Sequence, residues 1–303
     1  MNWVEKLQKY YSYDSFIKPQ HKIVKDTAKR YDQLVILPTG SGKSICYQLP
    51  AIVSQGFSII ISPLKALIKD QIDNLKKRGI PVLSFYGDTT KKEKELLASE
   101  IYNHENTYHI IYTTPESIEN NMQFREYLDV LEYRNKLDRF VIDEAHCISQ
   151  WGNNFRPSYR GLEKIRDYYP TVPIMALTAT ATPPVQDDIV KLLRFSKYKK
   201  YTKSYFRKNL DISIRRKNTC LKNHNRNVLN LIIKEDFRSK SGIIYCQTRK
   251  KCEKLSKYLN ENGLNTLAYH AGFSKKIRTE TETSWKSNEV GIIIATIAFG
   301  MGI

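Results

Sequence analysis

The chain has 303 residues, about two domains on ordinary domain sizes, and 41% of them are hydrophobic, enough for folded cores and against a disordered tail. Its formal net charge of +18 suits either a polyanionic partner, because Lys and Arg that neutralise phosphates release counterions, or simply a soluble, Lys-rich surface. The five cysteines (Cys46, Cys147, Cys220, Cys246, Cys252) form no CxxC pair, which argues for reduced thiols in an intracellular protein rather than a disulfide framework or a structural zinc.

In chain order, the opening MNWVEKLQKYYSYDSF is too polar for a secretory signal. Short β-rich runs then alternate with charged amphipathic stretches: QLVIL (33–37), FSIII (57–61), PVLSFY (81–86), HIIYTT (109–114), RFVID (139–143) and PIMALT (173–178). In LKALIKDQIDNLKKRG, Leu64, Leu67, Ile68, Ile72 and Leu75 recur at helical spacing. This alternation predicts an α/β fold, a parallel sheet covered on both faces with functional loops at the carboxyl ends of its strands. The pattern breaks after Pro183, where a Lys- and Arg-rich stretch over 191–226, interleaved with Tyr198, Tyr201, Tyr205 and Phe206, reads as a connection running into a new strand, DISIR. Alternation resumes with GIIYCQT (242–248), LNTLAYH (264–270) and VGIIIAT (290–296), so a second unit of about four strands is expected. No apolar run reaches the roughly 18 residues of a membrane span, and no membrane partner is expected.

LPTGSGKS (37–44) follows one apolar strand and precedes a helical segment, the setting of a phosphate-binding loop. Gly40 and Gly42 let the backbone turn its N–H groups toward phosphate oxygens, with Thr39 and Ser41 lining the same loop. Lys43 can neutralise β- and γ-phosphate charge, and the Ser44 hydroxyl can hold Mg²⁺. The general pattern asks for Gly where Leu37 stands, and a plain glycine turn entering a helix is the competing reading of the octet. VIDEAH (141–146) weighs against that reading. At a strand end downstream of a phosphate loop, Asp143 can reach the Mg²⁺ and Glu144 an attacking water. His146 reads as a histidine that supports the acidic pair from behind or as a structural one.

LPTGSGKS, ISPLKALIKDQ, TTPES, DEAHCISQWGNNFRPSY, ALTATATP, GIIYCQTRKKCEKL, YHAGFS and ATIAFGMGI stand in the order seen in RecQ-type DNA helicases of superfamily 2, and the chain resembles that family from about Tyr11 to Ile303. The resemblance implies two RecA-like domains with helix-flanked parallel sheets. An ATP-binding domain would cover 1–200, and an incomplete second domain 201–303. It implies ATP and Mg²⁺ as cofactors and single-stranded and duplex DNA as partners, RNA being the less favoured nucleic acid. The protein would be a monomer inside the cell, in the nucleus or at replication sites of a eukaryote or virus, or in a bacterial cytoplasm.

The resemblance also implies residue roles. Tyr13 stacks on adenine and Gln20 hydrogen-bonds its edge; Lys43, Ser44, Asp143 and Glu144 act as argued above. Ser62, Pro63 and Lys69, with Thr114, Pro115 and Glu116, meet the DNA strand. Trp151, Phe155 and Arg156 belong to an aromatic-rich loop that couples DNA contact to hydrolysis, its rings offering stacking platforms. Thr178 and Thr180 form the coupling motif. His270, Gly272, Thr296, Phe299 and Gly300 belong to motifs of the second domain. Packing is the competing reading for each of these residues taken singly.

Three departures from the family stand out. Ile17 replaces an Arg before Gln20, leaving Lys18 as the neighbouring cation, and Asn153 and Asn154 replace a His-Asp pair in the aromatic-rich loop. The family's arginine-finger motif would fall beyond Ile303, so residues 1–303 alone are expected to bind Mg-ATP but hydrolyse it slowly and unwind poorly. The rival reading is an ATP-binding, nucleic-acid-binding protein without catalysis. Phosphate contacts by the basic 191–226 stretch are expected to carry much of the DNA affinity, against a solvated linker as the alternative.

Overall fold

A computed structural model describes residues 1–103, 107–149, 156–204, 209–215, 224–235, 237 and 240–300. The chain divides into two compact units, Met1–Lys208 and Asn209–Ile303.

The first unit is built on seven strands: β1 (Asp32–Ile36), β2 (Phe57–Ile61), β3 (Leu83–Phe85), β4 (Ile110–Thr113), β5 (Leu137–Ile142), β6 (Ile174–Thr178) and β7 (Tyr198–Thr202). They lie in the order β3-β4-β2-β5-β6-β1-β7, every pair parallel. The expected apolar runs supply the first six. Their continuity follows from burial on both faces, because successive side chains point to opposite sides of the sheet. Leu34, Ile36, Ile59, Ile61, Phe140, Ile142, Ile174 and Ala176 enter one core, which also holds Leu97, Phe124, Leu128, Leu131 and Ile189 from helices Lys91–Tyr102, Met122–Tyr133 and Pro183–Leu192. The residues between them, Val35, Ile60, Val141, Met175 and Leu177, enter the opposite core. That core is closed by helices Trp3–Tyr11, Gln20–Ala28, Lys43–Val53 and Lys65–Lys77. Ile68, Ile72 and Leu75 are the buried stripe of the last, as their spacing predicts.

Two expectations along the chain need correction. Tyr198–Thr202 was expected within a connection, but it is β7, paired with β1 from Asp32↔Tyr198 to Ile36↔Thr202. Only Tyr201 of this strand is buried, its hydroxyl bonded to the Asp26 carboxylate, while Lys199 and Lys200 face solvent. Lysines on an edge strand discourage further pairing, and that is why its composition reads as a linker. DISIR is not a strand: residues 209–215 have no ladder partner among the described residues, and Ile212 and Ile214 are 84% and 96% exposed. Alternating hydrophobicity gives a segment a face to bury but supplies no backbone partner.

The second unit has three described strands, β8 (Gly242–Tyr245), β9 (Thr266–Tyr269) and β10 (Ile292–Ala295), where the sequence suggested four. They are parallel in the order β8-β10-β9. Central β10 is buried throughout, Ile292 and Ile294 packing with Leu229, Leu255 and Leu259 of helices His224–Lys234 and Arg249–Glu261. Ile293 and Ala295 pack on the other face with Tyr269, Phe299 and Trp285 of helix Lys275–Lys286. Among the described residues, no helix is long and apolar enough to cross a membrane.

Candidate nucleotide and nucleic-acid site

In a parallel sheet all carboxyl ends face one side, so the loops after β1, β2, β4, β5 and β6 gather there. The loop after β1 carries Thr39 to Ser44. Gly40 and Gly42 take φ of +78° and +71°, the left-handed region that glycine enters without a Cβ penalty. A Cβ on Gly42 would stand 2.3 Å from the Gln20 amide nitrogen. That nitrogen donates to the carbonyls of Ser41 (3.2 Å) and Gly42 (3.0 Å), and the amide oxygen accepts from Ile17 N (2.8 Å). Gln20, expected at an adenine edge, thus lies 2% exposed beneath the loop and braces it. Tyr13 is half exposed and stacked on Tyr11, while Phe16 stacks on His21. Gly42 caps helix Lys43–Val53 with no side-chain cap bond, so its first-turn amides face the loop's concavity. Lys43 Nζ donates to Leu37 O at 3.2 Å.

Asp143 and Glu144 follow β5. Asp143 N donates to Ile61 O (2.9 Å) at the end of β2, and Tyr159 OH donates to Asp143 O (2.8 Å), which fixes the backbone there. Glu144 N donates to Asp143 Oδ1 at 3.0 Å, with Glu144 itself at φ +50°. Burial, then repulsion from Glu144, pushes the Asp143 carboxyl up to about 6, Lys43 offsetting part of the rise. Burial acts to raise Glu144 too, but His146 and Lys43 hold it below the usual carboxylate value. His146 Nδ1 lies 3.2 Å from Glu144 Oε2 and 2.9 Å from Thr178 Oγ1. Burial disfavours its charge, yet Cys147 and Glu144 together raise its pKa to about 9.

Thr178 ends β6, the strand lying between β5 and β1, and its hydroxyl both accepts from Thr180 N and donates to Thr180 O, each at 3.1 Å. The acidic pair, His146 and the Thr178–Thr180 turn are therefore one bonded cluster. The sequence reading left His146 either supporting the acidic pair from behind or merely structural. Its contacts make it the joint between Glu144 and Thr178, and nothing in the HCISQ spacing signals that. Tyr159 was missed as well, being an isolated tyrosine in a polar stretch.

The residues expected at a DNA strand are more dispersed. Ser62 is buried after β2 with its N–H on Thr113 O (3.1 Å); buried Thr114 after β4 bonds the Ser117 hydroxyl (3.2 Å). Arg156 Nη1 donates to Pro63 O at 2.6 Å and draws its loop against the one after β2. Lys69 is exposed on helix Lys65–Lys77 and lines a cleft of about 410 Å³ with Lys76, Tyr86 and Glu93. Trp151 and Phe155 lie outside the described residues.

In the second unit His270 is 3% exposed. Its Nε2 is 2.9 Å from Glu253, its Nδ1 accepts from Gly272 N at 3.2 Å, and its ring stacks on Phe273. Phe299, 1% exposed, packs edge-on against Tyr269 and Trp285, so packing describes its contacts. Thr296 follows β10, its N–H on Tyr269 O. With Gln247, Thr248, Arg249 and Ile297 it opens onto a shallow cavity of about 780 Å³ at the carboxyl end of this sheet.

The glycine turn, the uncapped helix start, Lys43 and the nearby carboxylates fit a nucleoside triphosphate. Ser44 and Asp143 offer the hard oxygen donors that Mg²⁺ prefers.

The DEAD/DEAH box helicase family model matches residues 17–189, and the helicase conserved C-terminal domain model matches residues 223–303. The chain belongs to the DEAD/DEAH box helicases, whose domains use ATP. Among curated proteins it is 38% identical over 301 residues to the RecQ-like DNA helicase blm-1 of Caenorhabditis elegans, covering 98% of this chain and 30% of that protein. It is 36% identical over 297 residues to the ATP-dependent DNA helicase Q1 of Rattus norvegicus, covering 98% of this chain and 48% of that protein. The chain thus spans less than half the length of these relatives. Its fold is also that of the Mycobacterium smegmatis helicase Lhr bound to ssDNA and AMP-PNP, with a TM-score of 0.68 at 22% identity over 100% of this chain and 42% of Lhr.

Proposed function

We propose that the chain is the motor portion of a RecQ-type, ATP-dependent DNA helicase that couples Mg-ATP hydrolysis to movement along single-stranded DNA and duplex unwinding. The observation that carries this reading is the bonded cluster at the ends of β5, β6 and β1, where Asp143, Glu144, His146 and Thr178 meet the loop that holds Lys43. The kinship to RecQ-like DNA helicases, at 36 to 38% identity, supports DNA as the nucleic acid.

Lys43 leaves its carbonyl partner to neutralise the outer phosphates, while the first-turn amides hold phosphate oxygens. Ser44 and Asp143 would hold Mg²⁺, which supplies charge neutralisation at the transferring phosphate. Glu144, ionised because His146 and Lys43 hold its pKa down, orients the attacking water and accepts its proton. Tyr13 stacks on the base and Gln20 keeps the loop in register. Lys69 and Arg156 face the DNA strand, buried Ser62 and Thr114 hold the loops that meet it, Trp151 and Phe155 stack on its bases, and Thr178 with Thr180 passes the state of the acidic pair onward. A second RecA-like domain, from residue 201, adds His270 and Thr296. The reading places the protein inside the cell, with its DNA.

Binding of a fluorescent ATP analogue, followed with phosphate release, tests the assignment. Lys43→Ala is expected to lose at least about tenfold in Mg-nucleotide affinity, the worth of one charge-assisted contact. Glu144→Gln should bind as the parent does and release no phosphate. Parent-like binding by Lys43→Ala would refute the site.

A further inference from the structure

The β7 edge of the seven-stranded sheet carries a basic surface to which the proposed function assigns no role, and of which the basic 191–226 stretch supplies only half. Residues 20–31 and 197–204 hold Lys or Arg at eight positions and one carboxylate, Asp26. Asp26 is buried and accepts a hydrogen bond from the Tyr201 hydroxyl, which ties helix Gln20–Ala28 to β7 and takes that carboxylate off the surface. Lys22 and Lys25 on the helix, and Lys29 at its C-cap, follow one another at helical spacing. On β7, Lys199 and Tyr201 point to one side of the sheet, and Lys203, whose N–H donates to Ile36 O at 3.2 Å, continues that ladder. All five lysines are exposed. Lys22 Nζ stands 5.9 Å from the centre of the Tyr201 ring and Lys199 Nζ 5.0 Å from that of Tyr31, so the helical row and the strand row lie side by side.

Lysines on β7 discourage edge pairing, but that need does not extend to the helix. The helix C-terminus favours Lys25 and Lys29, yet Lys22 stands in the first turn, where a cation opposes the helix dipole and no acidic residue balances it. A solvated helix face interleaves opposite charges, whereas here like charges stand three and four residues apart, an arrangement that destabilises a helix. None of the five lysines has a salt-bridge partner among the described residues. Their mutual repulsion is relieved when a partner outside the chain supplies the anions.

We propose that this surface binds the phosphate backbone of duplex DNA independently of base sequence. The helical row spans about 10 Å and the strand row about 13 Å, at about 1.5 and 3.3 Å per residue. Duplex DNA carries one phosphate charge per about 1.7 Å of axis, so a row of about 10 Å faces about three phosphates of each strand. A helix and a strand keep the two rows straight, which suits the regular backbone of a duplex rather than a flexible single strand. Lysines cover Tyr201 and Tyr31, so contact is made by ammonium groups, which fix position on a backbone and do not read bases. Only DNA as the partner is shared with the proposed function: binding here needs neither nucleotide nor hydrolysis.

The test is the affinity of residues 1–303 for a short blunt-ended duplex and for one of its single strands, measured by fluorescence anisotropy between about 50 and 200 mM salt. Lys25→Gln, Lys29→Gln and Lys203→Gln are combined, because these three make no ring or ion-pair contact among the described residues. The triple variant is expected to lose at least about 10-fold in duplex affinity at the low-salt end. Its slope of log affinity against log salt should fall by about 2 to 3, at about 0.9 per lysine. Arg at the same three positions should restore parent binding. Single-strand affinity should change far less, and affinity for a fluorescent ATP analogue not at all. Lys91→Gln, Lys92→Gln and Lys164→Gln together remove the same charge from exposed positions elsewhere on the unit. An equal loss of duplex affinity in that control would mean that net charge alone acts, and would overturn the inference. So would an unchanged duplex affinity and slope, or equal losses for duplex and single strand. Poly-glutamate that binds the parent more tightly than the duplex, and is lost by the triple variant, would assign the surface to an acidic protein instead. Parent-like nucleotide binding by Lys43→Ala would remove the motor site and leave this surface standing, so the two failures are told apart. Should the triple variant not fold, Lys25→Gln with Lys29→Gln carries the same comparison, at a slope change of about 2.

Discussion

Gly42→Ala tests whether the phosphate loop is held by Gln20 as well as by glycine geometry. Two costs arise at that position. A Cβ at φ +71° is strained by about 1 kcal/mol relative to glycine. The same Cβ would stand 2.3 Å from Gln20 Nε2, and Gln20 is too buried to swing aside without losing its bonds to Ser41 O, Gly42 O and Ile17 N. At about 1 kcal/mol net per bond, some of them kept by relaxation, the total is about 2 to 4 kcal/mol. Hydrogen exchange of the β1 amides in the native state reports opening of the first unit and is the assay. The two origins separate in a double-mutant cycle. Once Gln20→Ala has removed the obstruction, adding Gly42→Ala should cost only the backbone strain of about 1 kcal/mol. Strict additivity, or a Gly42→Ala variant within about 0.5 kcal/mol of the parent, would refute the reasoning.

Three further outcomes are expected. Burial holds the His109 pKa below its usual value, so the unfolded chain takes up the proton first as pH falls, and stability drops below about pH 6.5. His109→Gln, able to donate to Gly56 O, should show a smaller fall in Tm between pH 7.5 and 5.5, and an equal fall would contradict this cause. Ile294→Ala empties the centre of the smaller sheet and should cost about 2 to 5 kcal/mol in hydrogen exchange of β10, with nucleotide affinity unchanged. Tyr159→Phe removes the donor to Asp143 O and should destabilise the first unit by about 1 kcal/mol; no change would mean that water replaces the bond.

The six apolar runs of the first unit were legible because burial on both faces leaves each strand a nearly unbroken hydrophobic word. β7 was not, because an edge strand buries one residue, Tyr201, and its lysines mask it. DISIR misled for the converse reason, having the alternation of a strand without a neighbour among the described residues. At the site, Lys43, Ser44, Asp143 and Glu144 stood out because phosphate and metal chemistry demands fixed residue types at fixed places. Gln20 was recognised, but its place under the loop rests on contacts with Ser41 and Gly42, more than twenty residues away in the chain, that spacing cannot show. The buried bonds from Tyr11 to Gln48 and from Gln48 to Tyr112 were illegible because they join helix Trp3–Tyr11, helix Lys43–Val53 and β4, which meet only after folding.

In the motor proposed above, nucleotide and nucleic acid act on one another through this site, and thermodynamic linkage is the measurement that decides it. The affinity for single-stranded DNA is measured for residues 1–303 with and without a non-hydrolysable ATP analogue and Mg²⁺, and again for Lys43→Ala. The nucleotide is expected to shift DNA affinity by about 5-fold or more, DNA to shift nucleotide affinity by the same factor, and Lys43→Ala to abolish both shifts. DNA binding that is indifferent to the nucleotide in the parent chain would contradict this coupling.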